Sequence, residues 1–153
     1  MKVLTERLRA LEKEGIVRRR EKPGYPREVW YSLSARARRW VALVDLCVSE
    51  NLLPDVVEMV LRCRWTGEIL VALGRGELRP VELLGRLDGV SKRKLFERLR
   101  WLEERALVAR HVLDSRPPGA AYGLTPAGRK LARFLGARPE LAGSFASLGA
   151  RSA

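Results

Sequence analysis

The stretch that decides the fold is SKRKLFERLRWLEERALVARHVLDSRPPGAAYGLTPAGR, residues 91–129. Leu95, Leu99 and Leu102 recur at i, i+4 and i+7, which sets them on one stripe of a helix, and Ser91 stands where an N-cap belongs. At 100° per residue the opposite face carries Arg93, Glu97, Arg100 and Glu104, with Lys92 and Lys94 crowding the N-terminal end. A helix with an apolar back and a cationic front fits a DNA major groove. Taken alone, it also reads as an ordinary amphipathic surface helix. The residues C-terminal to it decide between the two. Leu107, Val108 and Val112 are strand formers, Asp114 to Gly119 supplies a turn, and Ala121 to Leu124 returns as a second strand. Thr125 caps a closing helix with Pro126 at its first position. The predicted unit is a helix followed by a β-hairpin carrying Arg110 and, at its tip, Arg116, which is the order of a winged helix.

The same pattern occurs twice. An offset of 91 residues aligns Leu4 to Val41 with Leu95 to Ala132 without a gap, and thirteen of the 38 pairs are identical. LTERLRALEKEGIVRR answers LFERLRWLEERALVAR; further on, Pro26 answers Pro117, Tyr31 answers Tyr122, Leu33 answers Leu124 and Arg38 answers Arg129. An ungapped match of this length indicates a duplicated unit in two copies. In the first copy a helix carries Leu4, Leu8 and Leu11 on one face and Lys2, Glu6, Arg9 and Lys13 on the other, and Gly15 ends it. Ile16 to Arg20 reads as a strand, Pro23-Gly24 as a turn and Glu28 to Leu33 as the return. This wing is the more basic, with Arg18, Arg19, Arg20, Lys22 and Arg27. Such residues suit phosphate or minor-groove contacts, although a charge run also makes a solvated hairpin.

Between the copies, Ser34 to about Asn51 reads as a helix that turns apolar from Trp40, and Pro54 restarts one containing Val56, Val57, Val60 and Leu61. WTGEILVAL, residues 65–73, is a buried helix; PVELLGRL, residues 80–87, is a short one; Asp88-Gly89-Val90 leads into Ser91. The fold class is therefore mainly α with β-hairpin wings (α+β), a winged helix-turn-helix in two tandem copies with the first incomplete. The expected divisions are a partial copy at 1–53, a complete winged helix at 54–135, and a Gly-, Ala- and Ser-rich tail at 136–153 with some helix near Pro139 to Leu148.

Composition narrows the function. Thirty Lys and Arg against eighteen Asp and Glu give a net charge of +12 in 153 residues, so the expected partner is a polyanion. No run approaches the roughly 18 apolar residues of a membrane span. Lys2, Glu6, Arg7 and Arg9 charge the N-terminus as no secretory leader does, so the expected location is cytoplasmic. Cys47, Cys63 and His111 make no paired metal knuckle, and buried thiols are expected rather than a disulfide. No cofactor and no metal are expected. The absence of a nucleophile–base pair or carboxylate constellation points away from an enzyme.

Trp65 with TGEILVAL, the PVELLGRL helix, then Ser91, Leu95, Arg98, Leu99, Leu102 and Glu103, Pro117-Pro118, and Tyr122, Leu124, Thr125 and Gly128 resemble the HxlR-type family of winged-helix transcriptional regulators over about 75 residues. The resemblance implies duplex-DNA binding by a two-fold assembly, with the helix that starts at Ser91 in the major groove. Three departures stand out. Leu52 and Leu53 lie beside Pro54 where sensing members carry a cysteine, and Cys63 is two residues before Trp65. Gly119 follows the two prolines where the family usually has an arginine, with Glu28 in the first copy. The first copy begins inside its recognition-like helix, Met1 pairing with Lys92, so either the start lies further upstream or this copy borrows its missing core.

The expected function is a sequence-specific, duplex-DNA-binding transcriptional regulator. Base readout falls to Ser91, Lys92, Arg93, Lys94, Glu97 and Arg100, wing contacts to Arg18, Arg19, Arg20, Lys22, Arg27, Arg110 and Arg116, and first-copy helix contacts to Lys2, Glu6, Arg9 and Lys13. A homodimer is expected, because the unroofed apolar backs of the first copy need a cover. The alternatives are a winged-helix protein-interaction module and a thiol sensor using Cys47 or Cys63.

Overall fold

The computed structural model of the chain describes residues 2–115 and 118–143. The wing-tip residues Arg116 and Pro117 and the tail from residue 144 lie outside the described residues, so the Arg116 contact and most of the tail helix expected near Pro139 to Leu148 do too. The chain divides into two compact units, residues 1–45 and residues 46 onward.

In the first unit, α1 (Lys2–Lys13) leads into an antiparallel hairpin of β1 (Val17–Lys22) and β2 (Glu28–Leu33), followed by α2 (Ala35–Ser49), which crosses into the second unit. Gly15 takes φ +71, a left-handed conformation that lets the chain leave α1, and the Ile16 N–H donates back to the Leu11 carbonyl at 2.9 Å. The strand register runs from Val17↔Leu33 to Lys22↔Glu28, so pairing carries the first strand past Arg20 to Lys22. Ser34 closes the hairpin and opens the helix: its N–H donates to the Ile16 carbonyl at 2.9 Å, and its Oγ accepts from the Ala37 N–H at 3.1 Å. Val17, Ala37, Trp40 and Leu43 are buried, but Leu4 is 62% exposed, Val29 39% and Leu33 40%. The N-terminal end of the apolar stripe of α1 thus lies open, while Leu8 and Leu11 are half-buried.

The second unit contains α3 (Pro54–Arg62), α4 (Arg64–Leu73), α5 (Pro80–Arg86), α6 (Lys92–Glu104), the hairpin β3 (Val108–Leu113) and β4 (Gly119–Leu124), α7 (Pro126–Gly136) and a short 3-10 turn, Pro139–Leu141. Pro80 starts α5 and the Glu82 carboxylate accepts from the Arg79 N–H at 2.7 Å, fixing that short helix. Ile69 and Leu70 of α4, Leu83 of α5, Leu95 and Leu99 of α6 and Leu131 of α7 have no exposed surface, so these four helices share one core. Burying each such side chain is worth about 1.5 to 3 kcal/mol. A pairing absent from the sequence reading tightens it: Leu78 and Tyr122 exchange both backbone bonds, at 3.0 and 2.8 Å, adding a bridge to the outer edge of β4.

The 91-residue offset recurs in the structure. β1 and β2 displaced by 91 are β3 and β4. Thr125, the counterpart of Ser34, donates its N–H to the Leu107 carbonyl at 3.1 Å and accepts from the Gly128 N–H at 3.1 Å. Ala106, the counterpart of Gly15, likewise has a positive φ of 52°. Among the described residues no helix is long and apolar enough to cross a membrane.

Candidate nucleic-acid interface

The site is built on α6. Ser91 Oγ accepts from the Lys94 N–H at 3.2 Å, so the first turn is capped and its dipole stays directed outward. Leu95, Leu99 and Leu102 are fully buried and fix the helix against rolling about its axis. Farther along, Arg98 turns inward and donates to Met59 Sδ at 2.8 Å, and Arg105 pairs with Asp55 while its guanidinium lies 4.1 Å from the Trp101 ring centre. Contacts to α3 therefore hold the C-terminal half of α6, while Lys92, Arg93, Phe96 and Glu97 of its N-terminal half are exposed.

On that outward surface Glu97 organises two cations. Its carboxylate accepts from Arg93 Nε at 3.2 Å and from Lys94 Nζ at 3.5 Å, and these partners, the Arg93 hydrogen bond first, hold its pKa below the ordinary carboxylate range. Arg93 nevertheless remains 90% exposed, so its remaining guanidinium donors face solvent. Arg100, two turns on from Arg93, is exposed and has no ion pair among the described residues. Arg93, Phe96, Glu97 and Arg100 on α6, with Arg110 of β3 and Tyr122 of β4, line an open cleft of about 740 Å3. The fold thus gathers Ser91, Lys92, Arg93, Lys94, Glu97, Arg100 and Arg110 of the expected set around one helix and hairpin. Phe96 was missed because periodicity records which residues are apolar, not which of them stay open, and it is 39% exposed; Tyr122 reaches the cleft as a largely buried ring, 6% exposed.

Apart from Arg116, the remaining expected residues belong to the first unit. Glu6, Arg9 and Lys13 are exposed on α1, whereas the side chain of Lys2 lies outside the described residues. On the hairpin, alternation sends Arg18, Arg20 and Lys22 to one face and Arg19 and Glu21 to the other. Arg19 pairs with Glu21, Arg27 reaches the same carboxylate at 3.9 Å and Lys22 lies 3.6 Å from Glu28, so part of this wing's charge is neutralised locally. Arg18 and Arg20 have no ion pair among the described residues.

The two thiols differ. Cys47 is buried, and burial pushes its pKa up to about 11; Cys63 is partly buried at the junction of α3 and α4. His111 sits 3.6 Å from Glu77 on the outer face of β3.

Comparison with known proteins identifies the family. The family described as HxlR-like helix-turn-helix matches residues 1–49 and 60–147. The chain is 31% identical over 106 residues to the uncharacterized HTH-type transcriptional regulator YtfH of Escherichia coli, covering 69% of this chain and 80% of that protein. It is 38% identical over 77 residues to the uncharacterized HTH-type transcriptional regulator YvaP of Bacillus subtilis, covering 50% and 71%. The solved structure of ytfH from Salmonella typhimurium, assigned as a transcriptional regulator, superposes with a TM-score of 0.50 at 34% identity over 54% of this chain and 73% of that one. With most of its length matched in two segments, this chain belongs to the HxlR-like helix-turn-helix family of transcriptional regulators.

Proposed function

We propose that the chain regulates transcription by binding duplex DNA in a sequence-specific manner, with α6 in the major groove and the hairpins on the backbone. The observation that carries this is the outward face of α6, where capped, exposed Arg93 and Arg100 stand beside a hairpin cation, Arg110, while three buried leucines hold the helix behind them. Arg93 and Arg100 read bases; Lys92, Lys94 and Ser91 fix the helix end on phosphate; Glu97 aligns Arg93 and accepts from a cytosine amine. Arg18, Arg19, Arg20, Lys22, Arg27, Arg110 and Arg116 supply backbone contacts, as do Lys2, Arg9 and Lys13 on α1, with Glu6 repeating the place of Glu97. The protein acts without catalysis or cofactor.

The duplicated pattern supports a tandem arrangement, with a partial copy at 1–53, a full winged helix at 54–135 and a tail at 136–153. The open stripe at Val3 and Leu4, and the exposed Val29 and Leu33 of β2, support a homodimer in which a second copy covers apolar surface. Such a pair presents its winged helices roughly 34 to 36 Å apart, one turn of DNA. Sedimentation at micromolar concentration checks this: a species of twice 17.3 kDa is expected, and a single 17.3 kDa species overturns it.

Duplex titrations at several salt concentrations test the DNA reading. Arg19→Ala or Arg20→Ala should weaken binding to every duplex and make the salt slope shallower by about one unit per lost phosphate contact. Binding indifferent to salt would favour a protein-interaction module instead.

A further inference from the structure

The two hairpins are identical at four of six positions on one face and at none of six on the other. On the inner face, Val17, Arg19, Tyr31 and Leu33 are identical to Val108, Arg110, Tyr122 and Leu124. On the outer face none is retained: Arg18, Arg20, Trp30 and Ser32 stand where the second hairpin has Ala109, His111, Ala121 and Gly123. The framework is kept and the outer surface is remade.

That surface has a definite chemistry. Trp30 lies directly across the ladder from Arg20 and is 64% exposed, whereas its counterpart Ala121 is 6% exposed. Arg18 and Arg20 project from the same face about 7 Å apart, two strand residues along, and both lack ion pairs among the described residues. Trp30, Arg20 and Lys22 line a shallow groove of about 500 Å3, together with Glu21, whose carboxylate is engaged by Arg19 and Arg27. An open indole face flanked by uncompensated guanidinium groups offers stacking and phosphate contacts together. Stacking needs a base whose π-face is free, and in a B-form duplex both faces of each base are occupied by its neighbours. A single strand presents free faces.

We infer that the outer face of the β1–β2 hairpin is a binding platform for single-stranded nucleic acid, with a base stacked on Trp30 and adjacent phosphates on Arg18 and Arg20. The platform is independent of the groove contacts assigned to α6. It gives the protein a second nucleic-acid activity, suited to strands opened where transcription begins.

The test uses the full chain with a fluorescein-labelled twelve-nucleotide oligothymidylate, a duplex of equal length and a strand of equal length built from abasic sites. Trp30→Ala should weaken oligothymidylate binding by about 5- to 150-fold, the effect of one lost base stack. Trp30→Phe should retain most of the affinity. Binding to the duplex and to the abasic strand should be unchanged by Trp30→Ala, and Arg93→Ala/Arg100→Ala should leave oligothymidylate binding intact. Because Trp30 is exposed, the variants should keep the parental melting temperature. Three results would overturn the assignment: equal oligothymidylate binding by parent and Trp30→Ala, an equal loss on duplex that marks a wedge between base pairs, or tighter Trp30-dependent binding of polyglutamate than of the oligonucleotide, which marks an acidic protein partner.

Discussion

Leu99 and Arg100 are neighbours in sequence and opposites in the proposed mechanism, so truncating each to alanine separates fold from function. Leu99 has no exposed surface. Its replacement removes three carbon groups from the core, roughly 2.4 kcal/mol of transfer free energy at about 0.8 kcal/mol each. The cavity left in the core brings the expected loss to about 2.5 to 5 kcal/mol. Arg100 is exposed and unpaired among the described residues, so its removal strands no partner and should change stability by less than about 0.5 kcal/mol. Its loss should instead cost about 1 to 3 kcal/mol of specific binding, roughly 5- to 150-fold, and relax the preference at one base pair. The assay is urea denaturation followed by circular dichroism, beside anisotropy titration of a duplex selected from a random pool at fixed salt. Arg93→Ala should resemble Arg100→Ala, with a further loss of order as Glu97 gives up its hydrogen-bonded partner. An Arg100→Ala protein that is destabilised like Leu99→Ala, or that binds its selected duplex with parental affinity and selectivity, would refute the division between anchored and reading faces.

Other substitutions probe neighbouring links. Thr125→Ala removes a hydroxyl that accepts from the Gly128 N–H at 3.1 Å and donates to the Ala106 carbonyl at 2.7 Å, so it should lower stability by about 1 to 2 kcal/mol in denaturant titrations, with Thr125→Ser recovering most of it. Phe96 stands open in the cleft beside Arg93 and Arg100, and contact with a thymine methyl should make deoxyuridine substitution in the selected site weaken the parent but not Phe96→Ala; equal sensitivity in both proteins would discount the contact. With burial pushing its pKa up to about 11, Cys47 should hold very little thiolate at pH 7.5 and react slowly with a disulfide reagent. Because the raised value favours the neutral thiol in the folded state, its share of stability should persist below about pH 9 and be lost as pH rises toward 11, a limb absent from Cys47→Ala; rapid labelling at pH 7.5 would revive a sensing role.

Much of this architecture is legible in the sequence because the informative features are local. Leu95, Leu99 and Leu102 mark the buried stripe of α6, and Ser91, Thr125, Pro80 and Pro126 mark helix starts through one hydroxyl or one ring each. The internal repeat carries the reading from one hairpin to the other with a single offset. Pairings between distant residues escape it. Leu78 sits between the stretches that read as helices, 65–73 and 80–87, yet it bonds Tyr122 across 44 positions, and no periodicity announces such a bridge. Charge is legible as a total but not as a distribution. Arg19, Lys22 and Arg27 lie near acidic partners, Arg98 turns toward Met59, and only geometry distinguishes them from the open Arg18, Arg20 and Arg100.

The most direct test of the central claim is dimethyl sulfate interference on a selected duplex, because one reagent methylates guanine N7 in the major groove and adenine N3 in the minor groove. With α6 in the major groove, methylation at guanine N7 within each half-site should block the parent protein, and Arg100→Ala should lose sensitivity at one of those guanines. Interference confined to adenine N3, with every guanine N7 tolerated, would contradict the placement of α6.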